Sequence, residues 1–303
     1  MRHHSVIGQL WPAILLALLA ACGEEGGLPA SPAGAGTPTG TTGPTDTPPG
    51  TTPVARFFAF TKANPTDPQG MKDFGLDQMT KVADAMRGLT SPVFGVEVAT
   101  DPSQISVASL RARLAAYRDS LRPEDTFVMY SHTHGGSPGI LIDFEGKQKQ
   151  DPTIAYSWNA LAEDIVALPA RSVIIFTMAC HSGYLAEAVK ALAARWQGQR
   201  ASSGRNLIVL TSVSKDQLST ATNNSTDPAA IGNPFTYAVR TALGGAADGT
   251  VDGSEDERIT LEELVQYVLR TTKQKSKDQL AEPQLAGEYD RGAVFAAVPA
   301  AAR

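Results

Sequence analysis

Three short runs of consecutive apolar residues constrain this chain more than any other feature: Phe127–Tyr130, Val173–Phe176 and Leu207–Leu210. Each is too short for a core helix, and none alternates polar with apolar as a half-exposed strand would. They read as strands buried on both faces. Arg56–Phe60 and Val93–Val98 are two further strand candidates. The segments between them carry helical spacing. Leu76, Met79, Val82, Ala83 and Met86 mark one helix, and Ser106–Leu121 a second. Ser157–Leu168, Tyr184–Trp196, Pro234–Leu243 and Leu261–Arg270 mark four more. Strands alternating with helices predict a three-layer α/β fold, a mostly parallel sheet with helices on both faces. Asp67-Pro68-Gln69-Gly70 reads as a turn, Ile140–Phe144 with Glu145-Gly146-Lys147 as part of a hairpin, and Gln197–Asn206 as a polar loop.

The globular part spans about 54–303. Ahead of it, Gly23 to about Pro53 is built of Gly, Pro, Thr, Ser and Ala and holds too few apolar side chains to offset ordering entropy, so it reads as a tether. The apolar run Ala13–Ala21 is shorter than the roughly 20 residues that span a bilayer and suits the core of a signal peptide (1–21). It ends in Leu19-Ala20-Ala21-Cys22, which resembles the bacterial lipobox. That resemblance implies lipidation of Cys22 and a membrane anchor, and Gly23, in place of Asp, implies the outer membrane. The formal charge is −5 with no basic patch, which sets nucleic acid aside as a partner.

Two of the buried strands end in residues able to do chemistry. One runs into Tyr130-Ser131-His132-Thr133-His134-Gly135-Gly136, the other into Ala179-Cys180-His181-Ser182-Gly183. The stretch between His134 and Cys180 has room for a hairpin and a crossover helix. The two strands can therefore be parallel neighbours, with both tips on the sheet edge where α/β folds bind ligands. A thiol is activated by a nearby imidazole. Glycines after His134 allow close backbone approach, and the amides of Gly135 and Cys180 could face an oxyanion. Cys22, the other cysteine, lies in the export signal, so no disulfide partner for Cys180 is expected in the mature chain.

The pattern of an apolar strand with His-Gly, a spacer, and an apolar strand with Ala-Cys resembles the caspase-like cysteine peptidases, the group holding caspases, metacaspases and legumain. The likeness extends over most of 54–303, since strand and helix order agree. It implies a six-stranded sheet, Cys180 as nucleophile and His134 as general acid/base, with no cofactor required. His132 would be a neighbour that contacts substrate, and His181 would be outside the chemistry. Ser212–Ser219 follows the next strand and should border the same cleft. It resembles the metacaspase segment whose aspartate, here Asp216, lines the pocket for the residue before the scissile bond, with Ser212 beside it. Metacaspases usually carry a second acid two positions before the nucleophile, where this chain has Met178. Asp216 on a solvated turn and Asp216 in a basic-specific pocket are both open readings.

Asp252–Glu263 admits two readings. As a twelve-residue calcium loop it offers Asp252, Ser254, Asp256, the Arg258 carbonyl, Thr260 and Glu263, but Glu257 stands where glycine is wanted. As a helix start, Thr260 and Glu263 form a capping box. Asn223-Asn224-Ser225-Thr226 contains glycosylation-like triplets read as loop chemistry. Arg200 and Arg205 fall where caspases are cut into subunits, which suggests self-cleavage.

The sequence thus points to a lipid-anchored cysteine endopeptidase of the cell envelope acting on proteins or peptides. A catalytically silent tethered scaffold of the same fold and a transpeptidase or transamidase are the alternatives. Oligomeric state is open.

Overall fold

The computed structural model describes residues 52–144, 152–219, 232–276 and 281–299. Cys22 and its flanking signal, the tether as far as residue 51, the turn Glu145-Gly146-Lys147 and the triplets at Asn223–Thr226 lie outside the described residues. Among the described residues no helix is long and apolar enough to cross a membrane.

The chain opens with strand β1 (Ala55–Lys62), helix α1 (Gln69–Arg87), strand β2 (Phe94–Ala99) and helix α2 (Val107–Ser120). Strand β3 (Thr126–Gly136) then leads through the short β4 (Gly139–Leu141) and β5 (Ala155–Ser157) to helix α3 (Trp158–Val166) and strand β6 (Ser172–Met178). Helices α4 (Gly183–Ala191) and α5 (Ala193–Ser203) precede strand β7 (Asn206–Thr211). Helix α6 (Pro234–Thr241), strand β8 (Arg258–Thr260), helix α7 (Leu261–Ser276), and strands β9 (Gln284–Ala286) and β10 (Val294–Ala297) complete it.

The sheet order is β2-β1-β3-β6-β7-β9, with every pair parallel except β7–β9. Strands β4 and β5 join this sheet antiparallel at β3, making eight strands in all, six of them on the central path that the family resemblance implies. The fold is therefore α/β with a mostly parallel central sheet, as the apolar runs predict. Pleating explains why those runs are continuous. Phe57, Ala59, Val128, Tyr130, Ile174, Phe176, Ile208 and Leu210 face one layer, α1, α6 and α7. Phe58, Phe60, Phe127, Met129, Val173, Ile175, Leu207 and Val209 face the other, α2, α3 and α4. Both rows must be apolar because both faces are covered.

Two local expectations change. The predicted helix Tyr184–Trp196 is two helices broken at Leu192, and the predicted polar loop is helical as far as Ser203. The Ala, Gln and Arg there favour helix without an apolar face to announce it. Strands β5 and β8–β10, of three or four residues, are too short to show a period.

Candidate active site

Register brings the two motifs together. β3 and β6 pair with His132 opposite Met178, and His134 and Cys180 each follow two residues on. Alternation keeps His132 and His134 on one row beside Met178 and Cys180. Both His134 and Cys180 are buried and line the same cleft. Gly135 makes the close approach possible: a β-carbon there would lie 2.2 Å from the Cys180 carbonyl oxygen and 2.9 Å from the Ala179 β-carbon. Any side chain would push the strand tips apart.

A third group completes the histidine's surroundings. His134 Nε2 lies 2.6 Å from Asp67 Oδ2, both side chains almost fully buried. The same carboxylate oxygen accepts the Asn64 amide at 2.7 Å, and the Asp67 amide donates to the Asn64 carbonyl at 2.9 Å. A carboxylate accepts, so the proton between the two groups sits on Nε2 and the lone pair of the neutral ring is on Nδ1. The sequence reading placed Asp67 in a turn and missed this. The signal was there: β1 is the parallel neighbour of β3, so an acid just past its end lies on the same sheet edge as His134. Phe144 meets the ring edge-on, with centroids 6.1 Å apart.

Cys180 sits on a bent connection between β6 and α4. His181 takes a left-handed backbone (φ 57°), unusual for a side-chain-bearing residue. Its amide donates to the Gln217 carbonyl at 2.9 Å and its Nδ1 to the Lys215 carbonyl at 2.7 Å. His181 thus ties the turn to the segment after β7 rather than facing the cleft. At Gly183 a β-carbon would fall 2.3 Å from the Lys215 nitrogen, so α4 starts in direct backbone contact with that segment.

Ser212 and Asp216 are not among the residues that line this cleft. Ser212 is buried beneath the turn, where its hydroxyl accepts the Ala179 amide at 3.3 Å and donates to the Ala179 carbonyl at 3.2 Å. Ser182 Oγ lies 3.3 Å from it. Ser212 supports Cys180 from below. Asp216 is exposed and outside the cleft lining. His132, by contrast, does line the cleft. Burial, then the neighbouring His134, pushes its imidazole down to about 4, so it is neutral at physiological pH. Its Nδ1 is 3.4 Å from the Tyr130 hydroxyl, which itself pairs with Thr236 at 2.7 Å.

At the acidic loop the capping reading accounts for the contacts. Glu263 accepts the Thr260 amide and hydroxyl at 2.8 and 2.9 Å, Thr260 Oγ1 accepts the Glu263 amide at 3.2 Å, and Glu263 Oε1 accepts the Gly249 amide at 2.8 Å. Asp252 and Asp256 accept the amides of Ser254 and Arg258, two residues on. Among the described residues no group of three or more His, Cys, Asp or Glu could hold a metal ion. Arg205, an expected cleavage point, is buried beside β7 and donates to the Val166 carbonyl at 3.2 Å, while Arg200 lies within α5. Neither offers the extended, accessible backbone a peptidase needs.

No protein-family model and no curated protein matches the chain. Among solved structures, a protein from Geobacter sulfurreducens overlays with a TM-score of 0.46 at 15% identity, covering 82% of this chain and all of the other. Caspase-1 from Spodoptera frugiperda overlays with a TM-score of 0.49 at 13% identity, covering 82% of this chain and 92% of the other.

Proposed function

We propose that this protein is a cysteine endopeptidase. The observation that carries the reading is the buried Asp67–His134 hydrogen bond in the cleft that also holds Cys180. A nucleophile, a base and a group orienting the base are the parts acyl transfer needs. In this reading His134 Nδ1 takes the proton of the reduced Cys180 thiol. The thiolate adds to a peptide carbonyl, and the amides of Gly135 and Cys180 stabilise the oxyanion. The C–N bond breaks, His134 returns the proton to the leaving amine, and an acyl-enzyme forms. Water, deprotonated by His134, releases the acid and restores the thiol. Asp67 holds the productive tautomer and stabilises the imidazolium as it forms. The start of α4, three residues past Cys180, favours negative charge at the sulfur. Lipidation at Cys22, resting on the lipobox-like Leu19-Ala20-Ala21-Cys22, would hold the domain at the cell envelope.

The test is digestion of a peptide library by the full chain under reducing conditions, with and without calcium, read by mass spectrometry beside Cys180→Ala. Cleavage by the wild type alone supports the assignment. No cleavage by the reduced wild type moves it to a tethered binding protein. Joined peptides in place of hydrolysed ones make it a transpeptidase.

A further inference from the structure

The cleft extends beyond the two catalytic side chains into a cavity beneath α1, and its lining decides what it can hold. Thr61, His132 and Met178 lie on one side-chain row at the ends of β1, β3 and β6. Above them α1 contributes Met71, Phe74 and Gly75. Phe74 meets the His132 ring edge-on at 6.2 Å between centroids. Gly75 keeps the space open, since a β-carbon there would stand 3.0 Å from Thr61 Oγ1 and 3.9 Å from His132 Cδ2. The cleft is open at its mouth, and the recess beneath α1 is mostly apolar.

No Asp, Glu or Arg lines this cavity among the described residues. Lys62 is the one lysine in the lining, but pleating turns it to the opposite row, where its Nζ donates to the Pro102 carbonyl at 2.5 Å. His132 carries no charge near neutral pH, since burial disfavours the imidazolium. Met178 is two residues before Cys180, about 7 Å along a strand, which is one side-chain row deeper than the attacked carbonyl.

We propose that this cavity receives the side chain of the residue whose carbonyl Cys180 attacks, and that it selects large uncharged apolar side chains of the Leu, Met or Phe class. The inference rests on the peptidase reading and favours Asp216 on a solvated turn over Asp216 in a basic-specific pocket, the two readings the sequence left open. A lysine or aspartate side chain there would be desolvated without a partner of opposite charge, which is strongly disfavoured.

The test uses peptidyl acyloxymethyl ketones that differ only in the residue next to the ketone: Leu, Phe, Lys or Asp. The Cys180 thiolate displaces the probe's carboxylate and forms a thioether, counted by intact mass on the reduced full chain. The Leu and Phe probes should label faster than the Lys and Asp probes by on the order of 100-fold. Met178→Asp should move the preference toward Lys by tenfold or more. Should that variant melt below the assay temperature, Gly75→Ala takes its place and should slow the Phe probe more than a matching Ala probe. Equal or faster labelling by the Lys or Asp probe overturns the apolar pocket and leaves the peptidase intact. If iodoacetamide alkylates Cys180 but none of the four probes does, the peptidase reading falls, and this inference with it.

Discussion

Replacing Asp67 by asparagine separates catalysis from folding at this site. The substitution preserves size, but one oxygen, Oδ2, accepts both the Asn64 amide at 2.7 Å and His134 Nε2 at 2.6 Å. With the asparagine carbonyl in that place both bonds persist, without the negative charge that stabilises the imidazolium. With the amide nitrogen there, the Asn64 amide loses its acceptor and the imidazole proton is forced onto Nδ1, the nitrogen needed as base. Loss of a positioned general base costs about 10²–10⁴-fold in rate, equivalent to roughly 3–5 kcal/mol of barrier. Stability should fall much less, by about 1–3 kcal/mol, as a charge-assisted bond gives way to a neutral one. Asp67→Ala instead leaves both buried donors without their acceptor and should cost about 2–6 kcal/mol. The assay pairs steady-state kinetics with thermal melting for both variants. Asp67→Asn should lower kcat with KM nearly unchanged. If it retains more than half of the wild-type kcat, or if its activity loss only follows its melting temperature, the orienting role assigned to Asp67 is wrong.

Other consequences are equally direct. Gly135→Ala would place a β-carbon 2.2 Å from the Cys180 carbonyl oxygen, so the strand tips must part by about 1 Å, enough to lose about 10²-fold in kcat/KM. An unchanged rate in a folded Gly135→Ala protein would contradict the close approach. Glu263→Ala removes the acceptor of three hydrogen bonds around the start of α7 and should cost about 2–4 kcal/mol in a denaturant melt. If that loss appears only when calcium is present, Glu263 is a ligand and the capping account fails. His132 has a folded pKa near 4, below its unfolded value. Its contribution is complete above about pH 6.5 and is lost as pH falls toward 4, because the unfolded chain takes up the proton first. The window is at most about 3 kcal/mol. His132→Asn should flatten the acid side of the stability profile, and identical wild-type and variant slopes between pH 6.5 and 4 would count against it.

Sequence alone determined the layered α/β fold, because a strand covered on both faces has to be apolar on both rows. Val173–Phe176 and Phe127–Tyr130 could hardly be anything else. It also determined that His134 and Cys180 share an edge, since two parallel neighbours with like connections end on the same side. The tertiary structure decided what the sequence could not. Asp67, Asn64 and His134 come from different segments, and only the packing of the loop after β1 brings the carboxylate to the ring. Ser212 and Asp216, both legible as pocket residues, part company because the turn carrying Cys180 rests on one and leaves the other in solvent. Met178, an oddity in the motif, becomes the floor of an apolar cavity once α1 is laid over it. Period and spacing report which way a side chain faces within its own element. Which side chain meets it from another element depends on how the elements pack.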